Sequence, residues 1–324
     1  MTEIGRKLEI GFAPESSRGV AESTVSKWAK HVSADIIPRV EKAIDDNTRG
    51  RLEDSEGARV VKKWFDGTLE GILHVDTIGY LFANIYGAPV STVVEGDVMS
   101  HAFTMSQSIE HPTFSLFRKD GSVNQKVYGG GVVKTLEISA VADNYVRFSA
   151  DIAAANEASN SSTPSYDTEY DFIGKDVTVK MADTSGALAG ATALKLKDVN
   201  ISWDNSAIVD HVLGNLYPDA IYNGASMIEV TFTKNYVDTT FEDLFKSDAY
   251  KYMSIAIEGN TDIGDGNFPG LVLTLNKAQV QSWERSGGGD ELVTEEVTIK
   301  AFFNQTDLAQ SGLTLKNLTA TYAG

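Results

Sequence analysis

Apolar and polar residues alternate along much of the second half of the chain. Because successive side chains of a strand point to opposite faces, this alternation predicts half-buried antiparallel strands. The first half shows the same habit more loosely. The segments with the pattern are 68–73, 114–117, 136–139, 146–149, 177–181, 194–197, 199–203, 230–233, 271–275 and 297–301.

Two segments have helical spacing instead. In the first, Asp76 is positioned to cap a helix that Gly87 ends, and the apolar residues at i, i+3, i+4 and i+7 are Ile78, Leu81, Phe82 and Ile85. In the second, Thr239 or Thr240 precedes Phe241, Leu244 and Phe245. We expect each helix to lie against a sheet through its apolar stripe. The protein is therefore predicted to be mainly β with two flanking helices.

Two further segments have the composition of loops. Residues 38–63 are rich in charge and interrupted by glycine, which predicts an arm that reaches outward and is poorly ordered in a free subunit. Its basic residues include Lys42, Arg49, Arg51 and Arg59. Residues 153–168 are small and polar, as in a linker, and place a boundary near residue 160. This divides the chain into units 1–160 and 161–324.

Four elements recur in one order on the two sides of that boundary. They are a strand, a helix, a strand led by a proline (Pro112 or Pro269), and a late strand that begins near Val146 or Val297. The sequence identity between the halves is poor. The pattern therefore predicts either a tandem repeat or two merely similar β architectures.

The net charge of −17 and the absence of cysteine restrict the function. Tight binding to nucleic acid is disfavoured, because its affinity comes mostly from basic residues that neutralise phosphates. Disulfides, thiolate metal sites and cysteine nucleophiles are excluded. No apolar run approaches the roughly 20 residues of a membrane span. The amino-terminal residues lack the apolar core of a secretory signal, so we expect a chain made in the cytosol that does not enter a membrane.

The sequence carries no catalytic signature. A zincin motif, a P-loop and a nucleophile elbow are all absent, and Gly264, Gly266 and Gly270 indicate a turn. His101 and His111 lack the spacing that brings imidazoles onto one metal, so we expect surface or interface histidines. We predict neither an enzyme nor a bound cofactor.

One acidic cluster is distinctive. Asp167, Glu169 and Asp171 are spaced at i, i+2 and i+4, so on a strand they would share one face. Like charges on one face repel unless they are solvated or bound to a cation. The alternatives are a solvated strand edge, a calcium site and the charged wall of a channel. Asp262, Asp265 and Asn267 offer further oxygen ligands, but they do not fit the spacing of an EF-hand loop.

Taken together, several motifs resemble the tail tube (major tail) proteins of long-tailed bacteriophages. They span nearly the whole chain, and their order carries the resemblance. They are GFAPESSRGVA near the start, IYG at the end of the first helix, HAFTM, HPTFSLF, the hairpin GGVVKTLEISAVADNYVRFSADIAA and the closing NLTATYAG.

The resemblance implies a β-sandwich or barrel flanked by a helix, in subunits that form rings stacked into a hollow tube. The implied partners are other copies of the chain, a tape measure protein and other tail proteins. DNA would cross the lumen without specific binding, and the protein would reside in the virion after assembly in the host cytoplasm. The resemblance makes Asp167, Glu169 and Asp171 candidates for an acidic lumen, and Lys42, Arg49, Arg51 and Arg59 candidates for an arm between rings.

Two alternatives remain at this stage. A ring could hold three duplicated chains with pseudo-six-fold symmetry or six copies of a single unit. The competing function is a standalone β-sandwich module that binds carbohydrate or calcium. Sugar-binding modules expose clustered aromatic residues, whereas the four tryptophans here are dispersed along the chain.

Overall fold

The alternating segments form antiparallel strands, and the protein is mainly β, as predicted. A computed structural model describes residues 5–45, 50, 52, 55–322 and 324. The elements of the first half are β1 (Leu8–Pro14), β2 (Lys27–Ala29), β3 (Val32–Ile44), β4 (Ala58–Ile72), α1 (Val75–Tyr86), β5 (Val90–Glu95), β6 (Val98–Thr104), β7 (Phe114–Asp120), β8 (Asn124–Val141), β9 (Arg147–Ala154) and β10 (Asn156–Ser159).

The second half continues the same way and confirms five of the six strands predicted there. Its elements are β11 (Val177–Ala182), β12 (Leu196–Asp204), β13 (Ile208–Asp210), β14 (Ala220–Tyr222), β15 (Met227–Asn235), α2 (Thr240–Phe245), β16 (Lys251–Glu258), β17 (Gly270–Ser286), β18 (Thr294–Ala301) and β19 (Ser311–Asn317). The predicted strand 194–197 is wrong as a separate strand, since only its last two residues lie in a strand, the one that also contains 199–203.

One continuous antiparallel sheet of eight strands runs through both halves. Its order is β3–β4–β9–β8–β12–β15–β18–β17. The two halves meet inside it, where the second part of β8 pairs with β12. We call it the eight-stranded sheet.

Two further sheets lie on the other side of the core. The first half contributes β2–β1–β7–β8–β10, and the second contributes β11–β16–β17–β19, which continues into β6 and β5 of the first half. The long strands β8 and β17 therefore each belong to two sheets. A single hydrophobic cluster fills the space between the sheets and includes residues of both halves, among them Phe12, Leu136, Trp203 and Leu273.

The strand pairing of the first half has the same order as that of the second. The series β1–β7–β8–β9–β4–β3 corresponds to β11–β16–β17–β18–β15–β12. The irregularities in register also correspond. One lies between Val133 and Thr135 of β8 and has its counterpart between Val280 and Ser282 of β17, each opposite the following strand. A β-bulge is a specific local feature rather than a general property of sheets.

Helix α1 begins two residues earlier than the capping pattern predicts and is more buried. His74 is the N-cap residue, and its carbonyl accepts hydrogen bonds from the backbone N–H groups of Thr77 and Ile78 (3.2 and 3.1 Å). Gly87 ends the helix as predicted, with φ of 107°. All twelve residues are buried, so the helix lies within the core rather than against one sheet by a stripe.

A close contact with the carboxyl-terminal segment accounts for part of this burial. A Cβ atom at Gly79 of α1 would lie 2.1 Å from the ring of Tyr322, so only glycine permits the contact. Helix α2 begins after Thr239, one of the two predicted caps, and buries Phe241.

The segment 38–63 differs from the predicted loop. Residues 38–44 continue β3, residues 58–63 begin β4, and the two strands pair as far as Ile44 and Ala58. Residues 37–44 of β3 are exposed, so the paired segments 38–44 and 58–63 extend away from the core. We call these two segments the long hairpin. The backbone N–H and C=O groups of its two strands form hydrogen bonds with each other. The strands therefore form although neither face of the long hairpin is apolar and buried. The boundary predicted near residue 160 falls in a stretch without regular structure, 160–170.

Candidate functional site: the polar face of the eight-stranded sheet

The eight-stranded sheet has one apolar face and one polar face. Along β12, for example, Val199, Ile201 and Trp203 are buried, and the intervening Asn200 and Ser202 are half-buried on the other side. The same alternation holds along β9, β15 and β18. Strand periodicity therefore aligns the polar positions of all eight strands on one surface.

Acidic side chains outnumber basic ones on this polar face. Among the described residues at its alternating positions, counted on β3 and β4 as far as the register shift after Glu41, there are eleven carboxylates and four basic groups. The carboxylates are Asp35, Glu41, Asp66, Glu70, Glu137, Asp151, Asp198, Asp204, Glu229, Glu284 and Glu296, and the basic residues are Arg39, Lys62, Arg147 and Lys300. A surface with this imbalance repels the phosphates of nucleic acid.

Side-chain contacts across strands confirm that these positions share a face. Asp151 accepts hydrogen bonds from the hydroxyls of Thr68 (2.8 Å) and Thr135 (3.3 Å), which lie on the strands to either side. Asp66 forms ion pairs with Arg39 (3.4 Å) and with Lys134, a residue at the bulge of β8. Part of the negative charge is thus compensated in the first half.

The two halves make equivalent contacts on this face. Thr231 and Thr298 in the second half share a hydrogen bond of 3.1 Å, on strands that correspond to those of Thr68 and Asp151. The pairing register places Thr231 opposite Thr298 and Thr68 opposite Asp151.

The predicted acidic cluster of Asp167, Glu169 and Asp171 is not a strand face. Residues 161–170 have no regular structure, and Asp171 forms an isolated bridge with His74. Asp167 and Asp171 are exposed, whereas the Glu169 side chain is only 2% exposed. Glu169 therefore points into the subunit, and the spacing that suggested a shared face holds only for extended strands.

Glu169 belongs to a buried polar cluster at the start of α1. Its carboxylate accepts hydrogen bonds from the backbone N–H of Lys30 (3.0 Å) and the hydroxyl of Thr77 (3.4 Å), and it lies 3.6 Å from Nε2 of His74. Asp76 is buried beside it, with Lys27 Nζ 4.0 Å away.

The ionisation of this cluster is shifted by burial. Burial raises the pKa of Glu169 and of Asp76 and lowers the pKa of His74, because each group loses the hydration of its charged form. The hydrogen bond from Lys30 and the charge of Lys27 oppose the rise for Glu169 and Asp76, respectively. At neutral pH these shifts favour a neutral His74.

The basic residues predicted for the arm lie on or near the long hairpin. Lys42 is exposed on β3 and Arg59 is exposed on β4. Arg49 and Arg51 fall outside the described residues. At the end of β3, the apolar side chain of Ile44 is 63% exposed.

His101 and His111 are not at the surface of the subunit, contrary to expectation. His101 is buried and hydrogen bonded to the hydroxyl of Ser91 (2.7 Å) and the carbonyl of Thr319 (2.9 Å), and His111 is buried against the carbonyl of Asn84 (2.9 Å). Each has polar partners inside the core, which is how buried imidazoles are tolerated. In the described part of the chain, no three histidine, aspartate or glutamate residues come close enough to hold a metal ion.

The sequence model of a family described as phage tail tube protein matches residues 5–301. The chain belongs to this family. No curated protein matches it in sequence.

Membership makes the chain a structural component of the phage tail, in a family whose members assemble into tubes with other tail proteins. Within the described ranges, no helix of this tail tube protein has the length and hydropathy to span a membrane.

The polar face was not predicted from the sequence, because each of its eight strands contributes only a few of the charged residues. The alternation of polar positions was the signal that could have revealed it. Summing the charge at the polar positions of every predicted strand would have shown the acidic excess.

Proposed function

We propose that this tail tube protein polymerises into rings that stack into a hollow tube, and that genome DNA passes through the lumen during ejection. The observation that carries the proposal is the acidic polar face, which spans the width of the subunit in a chain of this family. With this face lining the lumen, DNA is repelled from the wall and slides without adhering.

In this proposal a ring contains three chains. Residues 1–160 and 161–324 each act as one tail tube unit, so three chains supply six units. The matching order of strand pairing and the matching bulges of β8 and β17 support two equivalent units in one chain. Such a ring is head-to-tail, and its junctions alternate between those within a chain and those between chains.

We assign the long hairpin to contacts between stacked rings. Its exposed strands and its exposed Ile44 leave a surface that the subunit itself does not cover. The tape measure protein is the expected occupant of the lumen before DNA enters, and assembly is expected in the host cytoplasm. Asp167 and Asp171 remain candidates for further acidic positions, whereas Glu169 is not a solvent-facing group.

No described feature favours the alternative of a sugar-binding module. Trp28 and Trp203 are buried, and Trp64 and Trp283 are half-buried on different strands, so the tryptophans do not form an exposed platform.

Electron microscopy of the purified protein tests the proposal. We expect hollow tubes whose cross-sections average with three-fold symmetry and a pseudo-six-fold inner wall. Strict six-fold symmetry with six whole chains per ring would refute the duplicated unit while leaving the tube intact. A persistent monomer at high concentration would refute the function.

A further inference from the structure

The segment 170–174, which leads into β11, lies against the first half of the chain. The backbone N–H of Val146 donates a hydrogen bond to the carbonyl of Phe172 (2.8 Å), and the N–H of Gly174 donates to the carbonyl of Asn144 (3.0 Å). Isolated β-bridges on either side of these bonds pair Asp171 with His74 and Ile173 with Tyr145.

This segment covers the surface on which it lies. Val146 is 0% exposed and His74 is 3% exposed, although both are at the ends of strands or turns. Tyr170 packs against the hydrophobic cluster, and the preceding Glu169 enters the polar cluster at the start of α1. The residues ahead of the first strand of the second half therefore complete the first half.

The residues ahead of β1 repeat this arrangement. Phe12 of β1 pairs with Leu116, and Met181 of β11 pairs with Met253, each opposite the residue that follows the register shift of the next strand. A short 3₁₀-helix precedes each strand, Gly5–Lys7 in the first half and Gly174–Asp176 in the second.

The sequence repeats as well. It reads IGRKLEIGFA from Ile4 and IGKDVTVKMA from Ile173, with identical or similar residues at seven of the ten positions. Residues 1–4, which lie outside the described residues, therefore correspond to residues 170–173.

The second half presents a surface equivalent to the one that 170–173 cover. In the turn between β8 and β9, the N–H of Asn144 donates to the carbonyl of Val141 (3.2 Å). In the turn between β17 and β18, the N–H of Glu291 donates to the carbonyl of Gly288 (3.3 Å). The two turns therefore have the same hydrogen bond at the same place.

A second pair of hydrogen bonds gives the correspondence of single residues. The N–H of Leu73 donates to the carbonyl of Val146 (2.9 Å), and the N–H of Tyr236 donates to the carbonyl of Val293 (3.0 Å). Val293 thus corresponds to Val146. By the same registers, Leu292 corresponds to Tyr145 and Val237 corresponds to His74.

This equivalent surface is bare in the single chain. Val237 and Leu292 are each 73% exposed, and Val293 is 39% exposed, whereas its counterpart Val146 is fully buried. Within the described ranges, the N–H of Val293 has no backbone acceptor. Adjoining exposed apolar side chains of this kind mark interaction surfaces.

A groove adjoins these residues. It has a volume of about 630 Å³, lies between the ends of β11 and β15 and helix α2, and includes Val237 in its wall. Met181, Phe241 and Leu244 make much of its lining apolar. The corresponding place in the first half, at the start of α1, receives Glu169 and Tyr170.

We infer that residues 1–4 of one chain lie on the second half of the neighbouring chain, as residues 170–173 lie on the first half. The carbonyl of Glu3 then accepts a hydrogen bond from the N–H of Val293, and the N–H of Gly5 donates to the carbonyl of Glu291. Ile4 faces Leu292, and Thr2 faces Val237. This inference rests on the head-to-tail ring of the proposed function and adds a contact outside the eight-stranded sheet.

The contact tolerates the differences in sequence between the two segments. Its hydrogen bonds come from the backbone, which any residue with an N–H supplies. The ring of Phe172, whose counterpart is Glu3, points toward its own half, because a Cβ atom at Gly259 would lie 3.5 Å from it. Met1 takes the place of Tyr170, so an apolar side chain again lies beside the groove.

Cysteine cross-linking of the assembled protein tests the contact, because the natural chain has no cysteine. The double variant Ile4→Cys with Leu292→Cys places thiols on directly opposite residues, whose Cα atoms are about 4.5–5.5 Å apart in an antiparallel pair and within disulfide range. Oxidation should give a reducible ladder on a denaturing gel that ends at three linked chains. Thr2→Cys with Val237→Cys is a second opposite pair in case the first variant does not fold.

Two matched controls accompany these variants. Tyr145→Cys with Ile173→Cys occupies the equivalent positions within one chain, both partly exposed, and should form a disulfide without linking chains. Ile4→Cys with Leu213→Cys uses a fully exposed residue of the loop between β13 and β14 and should not cross-link. That loop lies beside the first half, where the carbonyl of Leu216 accepts from the N–H of Lys63 (2.7 Å).

The outcomes separate the inference from the proposed function. Wild-type tubes together with opposite pairs that form no bond between chains would overturn the contact and leave the tube function standing. A bond within one chain, or equal cross-linking to Leu213→Cys, would also overturn it. A closed species of six linked chains would keep the contact and refute the ring of three. A wild-type chain that forms no rings would overturn both.

Hydrogen exchange on the wild-type protein gives a test without substitutions. The backbone amide of Val293 should exchange more slowly after assembly, because it gains an acceptor, whereas the amide of Val146 should be protected in the free subunit already. Unchanged exchange at Val293 in assembled tubes would refute the contact.

Discussion

Nε2 of His74 lies 3.6 Å from a carboxylate oxygen of Glu169, and the two side chains are only 4% and 2% exposed. The distance is too long for a hydrogen bond, and burial has shifted both pKa values toward the neutral forms. The pair connects the start of α1 to the segment between the halves, so its protonation bears on how firmly that segment is held.

The stability of the subunit should fall as the pH drops through 6.5, the ordinary pKa of histidine. The pKa of His74 is lowered in the folded state, so below pH 6.5 the unfolded chain binds a proton that the folded chain does not. The slope attributable to this one site is at most about 1.4 kcal/mol per pH unit. Urea unfolding at several pH values should show a shallower slope between pH 6.5 and 5 for His74→Phe. If His211→Asn, which removes a histidine outside the cluster, flattens the curve equally, the cluster is not the source.

The buried carboxylates act in the opposite direction. The pKa of Glu169 is raised, so its contribution to stability is fully present below pH 4.5 and is lost as the pH rises through its folded pKa. Glu169→Lys should destabilise the subunit by about 3–5 kcal/mol, because it buries a charge beside Lys27 and Lys30 without a partner. Asp143→Lys, at an exposed position outside the cluster, should cost about 1 kcal/mol or less. Chemical denaturation of both variants at pH 7 compares them, and equal losses would show that Glu169 is not buried as described.

Reversal of charge on the polar face should slow DNA ejection. In phage assembled with the triple variant Glu137→Lys, Glu229→Lys and Glu296→Lys, DNA would be attracted to the wall. The slowing should diminish at higher ionic strength, because salt screens charges over about 10 Å at 0.1 M. The rate of ejection is measured from the fluorescence of a dye that binds the released DNA.

The matched control changes the net charge equally, outside the polar face. It carries Glu95→Lys, Glu110→Lys and Asp290→Lys, all at exposed positions. We expect ejection at the wild-type rate. Equal slowing in both triple variants would mean that net charge, and not this face, governs the rate.

Shortening the long hairpin should abolish tube growth and leave the subunit folded. Deletion of residues 42–58 joins Glu41 to Arg59, next to the natural pair of Glu41 with Lys62, and so leaves a short turn. Circular dichroism should show an unchanged melting transition, and electron microscopy should show rings or monomers without long tubes. Lys42→Gln with Arg59→Gln keeps the length and tests the charges separately. Long tubes from the deletion variant would refute the role of the hairpin.

Local pattern predicted the strands well because burial on one face leaves a period of two in the sequence. Residues 199–203 and 297–301 lie within β12 and β18 as predicted. The pattern cannot reveal which strands pair. The contact of β4 with β9 and the junction of β8 with β12 join residues distant in sequence, and the polar face depends on both.

The predictions that were wrong also concern features that a local sequence pattern does not record. The long hairpin is exposed on both faces, so it leaves no alternation and was interpreted as a loop. The burial of α1 and of His101 depends on the carboxyl-terminal residues Tyr322 and Thr319, which return from the other end of the chain. Spacing alone placed Glu169 with Asp167, whereas the irregular backbone turns Glu169 inward.

The β8–β12 junction also reduces the number of contacts that separate molecules must form during assembly. A ring of six separate units has six contacts to form between freely diffusing molecules, and each association loses translational and rotational entropy worth roughly 4–15 kcal/mol. In a ring of three such chains, every second contact is already present in each molecule before any encounter. The first closed ring then requires two successive associations between molecules rather than five, so its formation should depend less steeply on the subunit concentration. Tube growth could therefore begin while the protein is still scarce, early in its synthesis.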